Sequence, residues 1–247
     1  MIKFFRKIRQ NLLMENKTGK YFKYAIGEIV LVVIGILIAL QINNWNEERK
    51  ELSYETKMLK TLNAEFHQNS IKLDSVLLEL NGVEQSLSFV LQKIQPNPII
   101  NLSPIELDSV LRNTFYNPYW TRSEYTLRTL ESSGKLSTLT NEDLKSKLYE
   151  YSLVATDIAD KDSDATFGFN NLLNYYRENG SLRNLDEGNS ITEGRSRLEY
   201  DHSKFFTDIA FENCIDDYLV YTRQRIKRFK KAKIIIDQVI AMTLTED

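Results

Sequence analysis

Two apolar patterns divide this chain. From Ile29 to Leu40 twelve consecutive residues are apolar, and from Leu59 to Ile94 apolar residues recur at alternating spacings of three and four. The first pattern is hydrophobic on every side of a helix, which suits lipid; the second is an apolar stripe on a helix with a polar back. Tyr24, Ala25, Ile26 and Gly27 before the run, and Gln41, Ile42 and Trp45 after it, lengthen the first pattern. From Tyr24 to Trp45 is about 21 steps, or about 31 Å, against a hydrocarbon core of about 30 Å. A single transmembrane helix over 24–45 is expected, with its aromatic ends at the two interfaces.

The second pattern runs through Leu59, Leu62, Phe66, Asn69, Leu73, Val76, Leu80, Val83, Leu87, Val90 and Ile94, where Asn69 is the one polar member and a candidate register-fixing residue. It predicts a long coiled-coil-like helix up to Pro96-Asn97-Pro98, with its partner inside the chain or in another copy. Ser103-Pro104-Ile105-Glu106 then has the order of N-cap, N1 proline and capping-box acid, so a short helix is expected from Pro104 to about Asn113. A turn with four aromatics, Phe115, Tyr116, Tyr119 and Trp120, follows. A helix over roughly Arg122 to Ser132 ends at Gly134, and another runs from about Asn141 to before Gly180. After a polar loop, a last helix covers about Ser203 to Leu244. The expected fold is all-α: one N-terminal transmembrane helix, then an elongated antiparallel helical bundle over 46–247.

Charge gives the first helix a direction. The full chain carries 32 Lys/Arg against 34 Asp/Glu, but residues 1–45 hold Lys3, Arg6, Lys7, Arg9, Lys17, Lys20 and Lys23 against only Glu15 and Glu28. The positive-inside rule puts residues 1–23 in the cytoplasm and 46–247 outside, in a periplasm if the cell is Gram-negative, with the chain in the inner membrane. No Ala-x-Ala site follows the run, so it reads as an uncleaved signal anchor. Ile2, Phe5, Ile8 and Leu12 share one helical face, which suits a basic amphipathic helix on an anionic leaflet; a disordered basic tail is the other reading. Gly27, Gly35 and Ala39 make a small-residue face for helix packing. Glu28 either reaches back toward the headgroups and Lys23 or meets a partner helix or a proton.

The stretch from Tyr24 to Asn46, reading YAIGEIVLVVIGILIALQINNWN, resembles the signature of a Bacteroidota family of single-pass membrane proteins classed only as a domain of unknown function. Glu15-Asn16-Lys17, Lys20-Tyr21 and Leu130-Glu131-Ser132-Ser133-Gly134-Lys135-Leu136 are similar to it too. The resemblance implies a cell-envelope protein and transfers no catalytic residue. It makes Glu28 part of the family motif.

Constellations for chemistry are sparse. The two histidines, His67 and His202, lie outside any zinc spacing, and no nucleophile elbow accompanies a Ser-His-Asp set around His202. Asp160-Lys161-Asp162-Ser163-Asp164 imitates half a calcium loop but has Ala165 at the glycine position. Cys214 is one lone thiol, either buried or available to an intermolecular disulfide. The run Arg223, Arg225, Lys227, Arg228, Lys230, Lys231 and Lys233 would suit nucleic acid in the cytosol, which the expected location disfavours. In a hairpin of the last two helices, facing residue numbers sum to about 381, setting Asp157 and Asp160 opposite positions 221–224. Phe115, Tyr116, Tyr119 and Trp120 are the candidate partner-binding set, with end-cap packing as the alternative. No cofactor, metal or enzymatic activity is expected. The expected partners are membrane lipid and a protein partner or homo-oligomer, without nucleic acid. The leading function is a membrane-anchored interaction or scaffold protein of the envelope; a sensory input module with a separate signalling partner, and an envelope enzyme, are the alternatives.

Overall fold

A computed structural model of the chain describes residues 18–186 and 194–244. The segment carrying Ile2, Phe5, Ile8 and Leu12 lies outside the described residues. Among the described residues all regular structure is helical: α1 (Thr18–Lys93), α2 (Pro104–Arg112), α3 (Tyr125–Ser132), α4 (Glu142–Asn179), the short α5 (Leu182–Leu185) and α6 (Ile209–Met242). Two 3₁₀ turns, Lys135–Thr138 and His202–Thr207, join them. The chain divides into two compact units, Met1–Lys57 and Met58–Asp247.

In the first unit α1 is apolar and uncovered. No large apolar side chain from Ile26 to Trp45 is less than 47% exposed. This is a helix long and apolar enough to cross a membrane, with no part of the apolar window buried by the rest of the chain.

In the second unit the seam of α1 is core. Leu62, Phe66, Leu73 and Leu80 pack with Leu148, Tyr151, Ile158, Phe229 and Ile236, while Val83, Leu87 and Val90 pack with Leu111, Tyr176, Phe211 and Tyr218. The partner of the seam from Met58 onward is therefore this chain's own α4 and α6. Burying each such side chain contributes about 1.5–3 kcal/mol, so the seam holds the bundle together.

Direction follows from the cross-helix pairs. Asn63 donates to the carbonyl of Ile240 at 3.0 Å, Lys233 pairs with Asp74 at 3.1 Å, and Arg223 with Glu84 at 2.8 Å. Asp157 pairs with Arg228 at 3.2 Å, and Asp162 with Arg225. Helix α6 thus runs against both α1 and α4, which run the same way, and residues 94–141 carry the chain back between them. The α4–α6 register is shifted by four to six residues from the 381 sum, between one and two turns. That sum assumed a loop symmetric about its middle, whereas residues 202–207 form a 3₁₀ turn and α6 begins only at Ile209, capped by Asp208.

Local signals placed most helix ends. Ser103 and Glu106 form the capping box, Asn141 accepts from the Leu144 amide, and Gly134 sits at φ 71°, the left-handed conformation that glycine adopts without strain. Helix α3 starts at Tyr125 rather than near Arg122, because Asn69 takes both backbone groups of Ser123, at 2.7 and 2.8 Å, and so keeps them out of helical bonds.

Candidate functional site

The aromatic turn is fixed by groups far away in sequence. Arg225 of α6, its side chain 5% exposed, donates to Asn117 Oδ1 at 2.8 Å and to the Pro118 carbonyl at 3.0 Å, and pairs with Asp162. The Tyr218 hydroxyl donates to the Tyr116 carbonyl at 2.5 Å, and Trp120 Nε1 donates to the Asn69 carbonyl at 3.3 Å. Arg225 is legible in sequence only as one member of a basic run, and Asn69 as the polar seam member with a register-fixing role. Both turn out to hold this turn, and Asn69 reads a loop of its own chain rather than another helix.

The four aromatics separate into two pairs. Trp120 is 7% exposed, with its ring edge-on to Phe229 at 5.8 Å, and Phe115 packs on Phe169 at 5.4 Å. Trp120 is thus core, as the packing alternative has it, and Phe115 is half-buried at the edge of a groove: the returning segment 94–141 needs apolar anchors to stay on the bundle. Tyr116 and Tyr119 are 56% and 71% exposed. Arg225 and Tyr218 thus hold the backbone of the turn from α6, with Tyr116 and Tyr119 outward.

Beside this turn lies an open groove of about 770 Å³. Its floor is a stripe of α1, Glu79, Gly82, Ser86 and Phe89, and its far wall includes Val110 and Tyr116. A second hollow of about 460 Å³ shares Phe89 and Val110 and continues toward Ile99 and Leu102.

A buried polar cluster holds the loop after α4. His202 Nδ1 is 2.6 Å from Asp108 Oδ1, both side chains 1% exposed, and Arg195 and Tyr200 bond to Asp108 Oδ2. The Ser181 amide donates to His202 Nε2 at 2.9 Å, so Nε2 is the acceptor and Nδ1 carries the proton toward Asp108. An imidazole nitrogen has one in-plane lone pair, and here an amide takes it. The pair therefore holds the segment in place and has no base to offer a nucleophile. Gly180 makes room for it: a Cβ there would stand 2.7 Å from His202 Nε2 and 2.8 Å from Phe205. Burial and the Asp108 carboxylate push the Tyr200 hydroxyl up, while Arg195 pulls it down.

The remaining singled-out residues are dispersed. Gly27, Gly35 and Ala39 are exposed on the bare helix of the first unit, and Glu28 is half-buried there. His67 is exposed on α1. The Asp160–Asp164 stretch is helical, with Asp162 given to Arg225 and Asp164 facing Lys161. Among the described residues no three His, Cys, Asp or Glu side chains gather as a metal site. Cys214 is half-buried, and burial, then Asp217 and Asp208, push its thiol up, which disfavours a reactive thiolate. Of the basic run, Arg223, Arg225, Arg228 and Lys233 are engaged by acids of the same chain.

No curated protein and no solved structure matches this chain significantly. A model described as a family of unknown function, DUF6090, matches residues 28–157, from the apolar helix through the aromatic turn and into α4. The chain is therefore a member of the DUF6090 family.

Proposed function

We propose that this is a single-pass membrane protein with its N-terminal side cytoplasmic, whose helical unit outside the cytoplasm works without catalysis by binding a protein partner through the face of Tyr116 and Tyr119. The observation that carries the reading is the uncovered helix. Twelve Ile, Leu and Val side chains between Ile26 and Ile42 stand exposed, and leaving them in water would forgo about 20–35 kcal/mol of burial, which lipid supplies. The excess of Lys and Arg before the span supports the orientation, and the clamped turn supports recognition. The Asp108–His202 pair, with its Nε2 occupied, lends no support to an envelope enzyme.

Tyr119→Cys in a Cys214→Ser background tests the orientation. A membrane-impermeant maleimide is expected to label it in intact spheroplasts. Labelling only after lysis would overturn the assignment.

A further inference from the structure

Helix α6 carries its charges in two blocks. From Ile209 to Thr222 there are three acids, Glu212, Asp216 and Asp217, and no base; from Arg223 to Ile236 there are seven bases and no acid. Four of those bases, Arg223, Arg225, Arg228 and Lys233, are taken up by acids of α1 and α4. Lys227, Lys230 and Lys231 are exposed and, among the described residues, enter no ion pair, and the same holds for exposed Asp216 and half-buried Glu212. Glu150 of α4, an acid that feels Lys231, is already paired with Lys147 at 2.8 Å. Burial, then Asp216, push the Asp217 carboxyl up, so the acid block is not relieved within the chain. The helix dipole accounts for Glu212 in the first turn, but it fades beyond one turn and leaves Asp216 and three mid-helix lysines unexplained.

These groups share an outward stripe that becomes its own complement when turned end for end. From Ile209 the spacings to Glu212, Asp216 and Val220 are three, four and four; from Ile234 backward to Lys231, Lys227 and Arg223 they are the same. Turned about a point between Tyr221 and Thr222, Ile209 falls on Ile234, Glu212 on Lys231, Asp216 on Lys227 and Val220 on the stem of Arg223. Ile209 and Ile234 are about seven turns apart, so both ends stay on one side of the helix. They are 67% and 61% exposed. An anionic surface would be repelled by the acid half of this stripe, and a cationic one by the lysines. A two-fold contact between identical faces requires such a reversal about a midpoint, because residue i of one copy meets j of the other while j meets i.

We infer that the outward stripe of α6 from Ile209 to Ile234 pairs antiparallel with the same stripe of a second copy of this chain. Each acid block lies over the other copy's lysines, and Ile209 against Ile234 closes both ends. Parallel pairing would set acid over acid and lysine over lysine. The contact is separate from the tyrosine face, since Tyr218 and Arg225, which hold the aromatic turn, are buried on the other side of α6. Two copies anchored in one membrane meet this way when the two-fold axis stands along the membrane normal.

The test uses the full-length protein in an uncharged detergent, with sedimentation velocity for association and disulfide crosslinking in the Cys214→Ser background for geometry. A dimer is expected. Val220→Cys should crosslink to its own counterpart across the axis, while Asn213→Cys, about 25 Å along the helix from its counterpart, should not. Glu212→Lys with Asp216→Lys, and Lys227→Glu with Lys231→Glu, should each weaken the dimer at least tenfold. An equal mixture of these two variants should restore it as a mixed dimer, since one stripe is then basic throughout and the other acidic. All four changes in one chain turn the pattern round and should restore self-pairing. Salt at about 1 M, where screening sets in at about 3 Å, should weaken the parent dimer. Monomers at all concentrations, a dimer indifferent to both reversals and so held by the membrane helix instead, no recovery in the mixture or the fourfold variant, or crosslinking by Asn213→Cys would each overturn the inference.

Discussion

Arg225 tests whether the exposed tyrosines are held by the core beneath them. Arg225→Met keeps the apolar stem and removes the guanidinium, and with it the bonds to Asn117 Oδ1, the Pro118 carbonyl and Asp162. A hydrogen bond to a charged group contributes about 1.5–3 kcal/mol. The three losses are unequal. Asp162 is 40% exposed and regains water, Asn117 is half-buried, and only at buried Pro118 is a carbonyl left dry. Removing a buried charge also relieves its own desolvation. The net destabilisation is then about 2 kcal/mol, close to the cost of one stranded buried acceptor. In a domain of this size that lowers the thermal midpoint by about 4–8 °C. Arg225→Lys should recover only part of it, because an ammonium cannot reproduce the planar fork. Hydrogen exchange should rise at residues 116–120 and stay unchanged around Leu144. A midpoint within 1 °C of the parent, with residues 116–120 as protected as before, would refute the account of the turn as clamped from α6.

Gly180→Ala places a methyl 2.7 Å from His202 Nε2 and should cost about 2–4 kcal/mol by breaking the Ser181–His202–Asp108 chain, read as a fall in the urea midpoint; an unchanged midpoint would remove that cluster's structural role. Acid should destabilise the fold with a defined sign. The Tyr175 hydroxyl and the Ala210 amide hold the Asp208 carboxyl below its ordinary value. Burial pushes Glu124 up, but Arg122 and Arg128 together bring it below its own. Carboxyls lowered by folding contribute stability above the unfolded-state value, near pH 4, and lose it as pH falls through the folded-state value. The thermal midpoint should therefore be flat from about pH 5 to 7 and fall below about pH 4, with Asp208→Asn flattening part of the fall; a midpoint that rises on acidification contradicts these contacts.

Residues near one another in sequence carry their own instructions. The unbroken apolar run from Ile29 to Leu40 marks a helix apolar on every side, long enough with its flanks to cross a membrane, and the 3/4 stripe from Leu59 to Ile94 marks a helix with one buried side. Ser103 and Glu106, Asn141 and Gly134 mark helix ends because capping is settled within one turn of backbone. None of these signals names a partner. An apolar stripe is satisfied by any matching stripe, so only the tertiary fold decided that the α1 seam closes on α4 and α6 of the same chain. Nor did composition say that α1 and α4 run the same way, which follows from where residues 94–141 find anchors in Trp120 and Leu111. The joining polar pairs lie far apart, His202 with Asp108 across 94 positions and Arg225 with Asn117 across 108, and such pairs leave no period to read. The site stayed hidden for the same reason: which aromatics face water, and where a groove opens beside Gly82, depends on which surfaces the packed helices leave uncovered.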